Sequence, residues 1–217
     1  MKLRGSMTQE NDQVQIGGLS LAFFAEKYGT PLMILDQAGL EENLDVFKNS
    51  FQSNLFETDI AYASKAMLNI HLAKTLAAYN FSFDVSSMGE IYILQKAGVN
   101  LSNTYFHGNN KTKEELDYAI KNNVGTIIVD NPDEYSKIVD INEYYKKDIN
   151  IMLRINPGIE TDTHEYIQTS SSTSKFGMSI DNVETLEFIE KVIVEKKVKF
   201  LGFHSHIGSQ IFEELSF

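Results

Sequence analysis

The protein is a chain of 217 residues, 42% of them hydrophobic, in which 30 acidic and 19 basic side chains give a formal net charge of −11 at pH 7. This excess of negative charge argues against nucleic acid or an anionic membrane as the main partner, because both bind basic surfaces. The absence of cysteine excludes disulfides, thiolate metal sites and a cysteine nucleophile within the chain.

Residues 1–36 lack the regular pattern of the rest of the chain. Residues 1–18 are polar and have no apolar region of the signal-peptide kind, so we expect a disordered tail or the remnant of an expression tag. Residues 19–36 should lead into the main domain. Within this segment, "GTPLMILD" (29–36) predicts a strand that belongs either to the segment itself or to a second, β-rich domain. Because no run of 18 apolar residues occurs either, we expect a soluble protein of the cytoplasm.

A helix is predicted over residues 40–53, and from residue 60 short apolar runs alternate with helical patterns. Strands are predicted at IAYAS, FSFDVS, TYFHG, TIIVD, IMLRIN and KFLGFHSHI, which begin at residues 60, 81, 104, 126, 151 and 199. Helices are predicted over residues 70–79, 88–97 and 113–122. Their capping residues would be Asn69, Ser87 and Thr112, and Gly98 and Gly125 would end two of them. This alternation predicts parallel strands joined by helical crossovers.

Two α/β architectures share this alternation, and the residues that end the strands distinguish them. A doubly wound sheet that binds a dinucleotide carries G-x-G-x-x-G after its first strand, and the sequence has no such motif. In a (β/α)₈ barrel, functional side chains gather at the carboxyl ends of the strands. The predicted strands here end on charged or imidazole side chains: Lys65, Asp84, His107, Asp130, Arg154, His204 and His206. We therefore predict a TIM-type barrel, of which residues 37–217 contain about six of the eight strands.

Several of these residues also have explanations that involve no chemistry. Lys65 is either a solvated residue at a strand end or a nucleophile, and Asp84 is either a helix cap or the partner of Lys65. His204 and His206 lie two apart and would share one face of a strand. Two histidines without a third ligand do not define a metal site, so we expect no metal. One imidazole could instead pack flat on a planar ligand, with Ser209 in a turn that binds an anion.

Seven short motifs, in this order, resemble those of the fold-type III pyridoxal-phosphate-dependent decarboxylases. They are Y-A-S-K-A (62–66), F-D-V-S-S-M-G-E (83–90), F-H-G-N-N-K (106–111), L-R-I-N-P-G (153–158), T-H-E-Y-I-Q-T (163–169), S-K-F-G (174–177) and H-S-H-I-G-S-Q (204–210). The first is shared with ornithine and arginine decarboxylases and with alanine racemase, whereas the third and the last resemble the diaminopimelate decarboxylase branch. Met67 replaces an asparagine common in the family, and Thr169-Ser170 replaces Thr-Gly.

The resemblance implies a cofactor, site residues and a reaction. Pyridoxal 5′-phosphate would be bound covalently by the ε-amine of Lys65, with His206 flat against its ring and Ser209 at its phosphate. Asp84 and Arg154 would line the cofactor pocket. Lys65 and His206 are thus the implied catalytic residues, and burial beside other cations would help Lys65 to lose its proton. The implied reaction is decarboxylation of meso-diaminopimelate to L-lysine and CO₂, the last step of lysine biosynthesis.

The resemblance also implies that this chain is the N-terminal part of an enzyme. The family places its glycine-rich phosphate loop, its acid for the pyridine nitrogen and a catalytic Cys-Glu stretch later in the chain. In the family the cysteine comes from a partner subunit, so we expect a homodimer with the site completed across the interface. Residues 1–217 alone are expected to be inactive. The alternatives are a decarboxylase of another basic amino acid, of the ornithine or arginine type, and a fragment that binds the cofactor without catalysis.

Overall fold

The protein is described from a computed structural model, which describes residues 3–10, 12–158 and 176–208. The chain divides into two compact units, Met1–Ile60 and Ala61–Phe217. No helix in the described ranges is long and apolar enough to cross a membrane.

The first unit contains a small antiparallel sheet and two helices. Its elements are β1 (Met7–Glu10), β2 (Gln13–Ile16), β3 (Leu19–Ser20), α1 (Leu21–Tyr28) and α2 (Gln37–Ser50), and the sheet order is β1-β2-β3. The expectation of a disordered tail over residues 1–18 is therefore wrong for residues 7–10 and 13–16, which form strands. Gly17 and Gly18, both with positive φ, form a two-residue turn between β2 and β3, which is a strong local signal for a hairpin. Helix α2 confirms the helix predicted over residues 40–53.

The strand predicted over residues 29–36 does not form. This segment pairs with none of the strands in the described part of the chain, and Pro31 within it has no N–H to donate to a sheet. Hydrogen bonds to the side chain of Asp36, at the end of the segment, hold it in place instead. Asp36 accepts hydrogen bonds from the backbone N–H of Ser6 at 2.7 Å and from the Ser6 hydroxyl at 2.9 Å.

The second unit repeats strand and helix along the chain. Its elements are β4 (Ala61–Ala63), α3 (Ile70–Ala78), β5 (Ser82–Val85), α4 (Met88–Ala97), β6 (Thr104–Phe106), α5 (Lys113–Lys121), β7 (Thr126–Val129), α6 (Pro132–Tyr145), β8 (Asn150–Asn156), β9 (Met178–Ser179), α7 (Val183–Glu195) and β10 (Lys199–His204). All six strands predicted in this unit are present, and so are the three helices.

The order of the strands identifies the architecture. The sheet runs β4-β5-β6-β7-β8-β10 with every pair parallel, and the short β9 pairs with the end of β8. Apart from the short β9, each strand of this sheet therefore lies beside the next strand along the chain. The strand order has no reversal of the kind that defines a doubly wound sheet. This order confirms a TIM-type barrel that is partial, because the described strands form no closed barrel.

Alternation along the strands separates core residues from site residues. Phe83 and Val85 of β5, like Leu153 of β8, are completely buried. Asp84 and Arg154 lie next to them in sequence, so their side chains point to the opposite face of the sheet. Hydrophobic burial on one face thus fixes the polar residues on the other.

The helix caps predicted from the sequence are present in the structure, with one exception. The side chains of Asn69, Ser87 and Thr112 accept hydrogen bonds from the first turns of α3, α4 and α5. Gly98 ends α4 in the left-handed conformation, as predicted. Gly125 is not a helix stop, because α5 ends at Lys121 and the left-handed residue is Asn123.

Gly125 is required for a different reason. A Cβ atom at this position would overlap the carbonyl group of Ser102, and the Gly125 N–H donates to Leu101 O at 2.8 Å. The glycine therefore allows the start of β7 to pass close to the turn before β6.

Candidate active site

The carboxyl ends of the parallel strands bring the predicted residues to one place. The seven residues of this strand-end cluster are Lys65, Asp84, His107, Asp130, Arg154, His204 and His206. Direct contacts link Asp84 with His107, His107 with His204, and Arg154 with Asp130. His206 lies within electrostatic range of Arg154, Lys65, His107 and Asp84. The clustering predicted from the barrel architecture is confirmed.

Lys65 lies in a single turn of 3₁₀ helix, Ser64–Ala66, directly after β4. Its side chain is exposed, so the expectation of a buried lysine is wrong for this chain. The reason is that β4 is an edge strand of the described sheet. The Tyr62 hydroxyl donates to Met67 O at 2.8 Å and closes this turn. Met67 takes part in that hydrogen bond through its backbone carbonyl. Any residue could supply this carbonyl, so the bond does not require the asparagine that is more common in the family.

Asp84 contacts His107 rather than the lysine. Its Oδ1 lies 3.0 Å from Nδ1 of His107, and the described residues contain no ion pair between Asp84 and Lys65. The His107 ring meets the His204 ring edge to face, with centroids 4.3 Å apart. Two buried ring nitrogens of this group, His107 Nε2 and His204 Nδ1, have no hydrogen-bond partner within the described part of the chain. Since buried polar atoms are nearly always paired, this group is suited to a polar ligand.

The two histidines of H-S-H are neutral at pH 7. Burial, followed by the electrostatic effects of His107 and Arg154, lowers the pKa of His204 to about 3, while Asp84 opposes the shift. Burial also lowers the pKa of His206, helped by Arg154 and Lys65. A neutral imidazole can pack against a planar ring without bringing a charge into the site.

Arg154 is paired with Asp130, for which no role was predicted. Its guanidinium donates to Asp130 Oδ1 at 3.4 Å, and the N–H of Gly177 donates to the same oxygen at 3.3 Å. The ring of Phe176 lies 4.9 Å from the guanidinium carbon. Burial lowers the pKa of Arg154, whereas Asp130 raises it. Asp130 is therefore the anion that a buried arginine requires.

Sequence reasoning also missed Lys111, a buried lysine beside this cluster. The available signal was its position at the end of F-H-G-N-N-K, where a lysine follows an apolar strand and a tight turn. Ser209, predicted at the cofactor phosphate, lies outside the described residues, so its role stays a prediction. Among described residues, no three His, Cys, Asp or Glu side chains form a group that could hold a metal ion.

Comparisons with known proteins agree with this geometry. A family model described as "Pyridoxal-dependent decarboxylase, pyridoxal binding domain" matches residues 38–217. The diaminopimelate decarboxylase of Bacillus subtilis (strain 168) is 39% identical over 218 residues, which cover 100% of this chain and 50% of the relative. That of Staphylococcus aureus (strain COL) is 39% identical over 202 residues, which cover 93% of this chain and 47% of the relative.

A solved structure extends the similarity to three dimensions. The diaminopimelate decarboxylase from M. jannaschii, in co-complex with L-lysine, superposes with a TM-score of 0.82 at 31% identity. The match covers 96% of this chain and 50% of that one, so the chain spans about half the length of the relatives it matches. The family's cofactor is pyridoxal phosphate, as the resemblance implied. The chain belongs to the pyridoxal-dependent decarboxylases, and residues 38–217 are their pyridoxal-binding domain.

Proposed function

We propose that the chain is the cofactor-binding part of an enzyme that decarboxylates meso-diaminopimelate to L-lysine and CO₂. The observation that carries the proposal is the exposed ε-amine of Lys65 at the mouth of the strand-end cluster. No carboxylate within the described residues forms an ion pair with this amine, which leaves it accessible to a carbonyl compound. Neutral His206 and the unpaired ring nitrogens of His107 and His204 lie in the same cluster.

The residues present fit pyridoxal phosphate. Lys65 would hold it covalently, His206 would pack on its ring, and Asp84 and Arg154 would line the pocket. When bound, the cofactor draws electrons from the carbon that loses CO₂. The two carboxylates of the cluster balance the charges of Lys65 and Arg154, and His204 and His206 add none because their pKa values are lowered. An anionic ligand would therefore meet no net negative charge at this mouth.

The comparisons support diaminopimelate rather than another amino acid as the substrate. Both relatives at 39% identity carry the name diaminopimelate decarboxylase, and the M. jannaschii structure holds L-lysine, the expected product. We further propose a homodimeric full-length enzyme, since the exposed mouth around Lys65 needs further protein to exclude water. The cytoplasmic location stays a prediction.

Replacement of Lys65 in the full-length protein tests the proposal. We expect Lys65→Ala to abolish both covalent attachment of pyridoxal phosphate and release of L-lysine from meso-diaminopimelate. Attachment is measured by mass spectrometry after borohydride reduction. Lys74→Ala, which removes an exposed lysine from α3, is the matched control and should retain both properties.

The same assay distinguishes the alternatives. Turnover of L-ornithine or L-arginine in preference to meso-diaminopimelate would indicate a decarboxylase of another basic amino acid. Cofactor attachment without turnover of any of the three would indicate a binding protein. Normal attachment in Lys65→Ala would contradict the site itself.

A further inference from the structure

Lys111 is a buried lysine that the proposed chemistry does not use. It lies between β6 and α5, and only 4% of the residue is exposed. Its Nζ donates three hydrogen bonds, to Gly108 O at 2.7 Å, to Ile128 O at 2.7 Å and to Glu134 Oε1 at 2.8 Å. All three acceptors belong to different segments of the chain.

The three hydrogen bonds indicate that Lys111 is charged. Its three partners at these distances match the three donors of an ammonium group, whereas a neutral amine has only two N–H donors and would need a protonated Glu134 to make the third bond. Burial lowers the pKa of Lys111, and the neighbouring carboxylate of Glu134 opposes the shift. The Phe106 ring, 5.4 Å from Nζ, provides a further favourable contact for a cation. Lys111 and Glu134 therefore form a buried ion pair.

Through these bonds the ammonium group fastens the turn after β6 to two other elements. Ile128 lies in β7, and Glu134 lies in the first turn of α6. Gly108 is next to His107 and has a φ of 125°, a conformation that few residues other than glycine adopt. The N–H of His107 donates to Val85 O of β5 at 2.7 Å. The backbone around His107 is thus held by β5 on one side and by Lys111 on the other.

We propose that Lys111 is a positioning residue, which fixes the turn after β6 so that the His107 ring stays between Asp84 and His204. The inference rests on the proposed function, because it concerns the same cofactor site. The hydrogen bonds of Lys111 go to Gly108, Ile128 and Glu134 and to none of Asp84, His107 and His204. Its effect on the cofactor would therefore be transmitted through the turn that carries His107.

The rival explanation is that Lys111 only stabilises the fold. Lys147 provides a matched control, because its Nζ also donates three hydrogen bonds. They go to Ile120 O at 3.0 Å, Lys121 O at 2.7 Å and Asn123 Oδ1 at 2.7 Å, at the end of α5 that leads into the amino end of β7. Lys147→Met removes as many hydrogen bonds as Lys111→Met. The bonds of Lys147 lie at the amino ends of the strands, whereas the strand-end cluster lies at their carboxyl ends.

The experiment compares pyridoxal phosphate binding in full-length variants. We expect Lys111→Met to raise the dissociation constant roughly tenfold, as residues that support a binding group typically do. Lys147→Met should change the constant by less than about twofold, within the usual error of independent sites. In a double-mutant cycle, Lys111→Met should add little to His107→Ala, since both changes remove the same positioned ring. Additive effects in that cycle, or equal effects of the two lysine variants, would overturn the proposal.

A second readout does not depend on the cofactor. In the cofactor-free protein, Lys111→Met should accelerate hydrogen exchange at the backbone amides of residues 107–112, and Lys147→Met should not. If Lys111→Met leaves Glu134 charged and prevents folding, Lys111→Met/Glu134→Met replaces the pair with apolar groups and should fold. Cofactor binding restored to the wild-type level in that double variant would contradict the positioning role, and so would failure of both variants to fold.

The controls separate this inference from the proposed function. Wild-type protein that binds no pyridoxal phosphate would contradict the proposed function. Wild-type protein that binds it normally, with Lys111→Met indistinguishable in affinity and in hydrogen exchange, would contradict only the role of Lys111.

Discussion

Burial decides the charge of individual side chains in the strand-end cluster. His204 and His206 are uncharged at neutral pH because desolvation and nearby cations disfavour the imidazolium. Arg154 stays charged because Asp130 compensates it. The same side chains placed on an exposed loop would have ordinary properties, so the cluster acquires its chemistry from its position at the strand ends.

The depressed pKa of His204 predicts how stability depends on pH. The unfolded chain binds a proton at this histidine near pH 6.5, whereas the folded protein does so only near pH 3. Between these values the unfolded state binds more protons, so the free energy of unfolding falls as the pH decreases below about 6.5. His107, Arg154 and His206 strengthen this effect, and Asp84 weakens it.

A variant isolates the contribution of His204. His204→Asn should make the free energy of unfolding, measured with urea from pH 7 to pH 4.5, less dependent on pH. His71→Asn, which replaces an exposed histidine of α3, should keep the wild-type dependence. Parallel pH curves for wild type and His204→Asn would show that burial of this ring does not depress its pKa.

Elements of this protein begin and end where local hydrogen bonds dictate, but their spacing depends on close contacts between segments. The capping box of α5 is local, with Thr112 and Glu115 three residues apart. The approach of Gly125 to Ser102 is not local, because it joins the start of β7 to the turn before β6.

Substitution of Gly125 tests this contact. Gly125→Ala should lower the free energy of unfolding by about 1–3 kcal/mol, since the methyl group must displace backbone atoms. Gly89→Ala is the control, because a Cβ there lies 3.9 Å from its nearest neighbour, Ser87 Oγ. In α4 an alanine should be neutral or stabilising by up to about 1 kcal/mol. Equal denaturation midpoints for the two variants would contradict the requirement for glycine.

The sheet as a whole presents apolar surface at one edge. Leu201 and Phe203 of β10 are 47% and 49% exposed, and β10 is an edge strand of the described sheet. Unpaired strand edges with apolar side chains favour association with other chains. The relatives of this chain are about twice its length, and a barrel of this type has eight strands.

We therefore expect the isolated 217-residue chain to self-associate and to release no L-lysine from meso-diaminopimelate. Sedimentation velocity should show species larger than a monomer. Leu201→Lys/Phe203→Lys should shift the distribution towards monomer, because charge opposes edge pairing. Leu55→Lys, at an exposed leucine of the first unit, should leave the distribution unchanged. A monomeric, active chain would contradict this prediction.

The sequence by itself determined the features that depend on neighbours along the chain. Strand and helix order in the second unit, the caps at Asn69, Ser87 and Thr112, and the polar residues at strand ends all follow from patterns a few residues long. The Gly17-Gly18 hairpin belongs to this class as well, because two adjacent glycines between short strands indicate a tight turn.

Only the tertiary structure decided which distant groups meet. Asp130 pairs with Arg154 across 24 residues of sequence, and Lys111 reaches Glu134 across 23. The exposure of Lys65 depends on which strands flank β4, and Asp84 contacts His107 instead of Lys65. These outcomes depend on strand order and register, which place side chains from separate segments within hydrogen-bonding distance. No local pattern contains that information, because the contacts exist only when the sheet has formed.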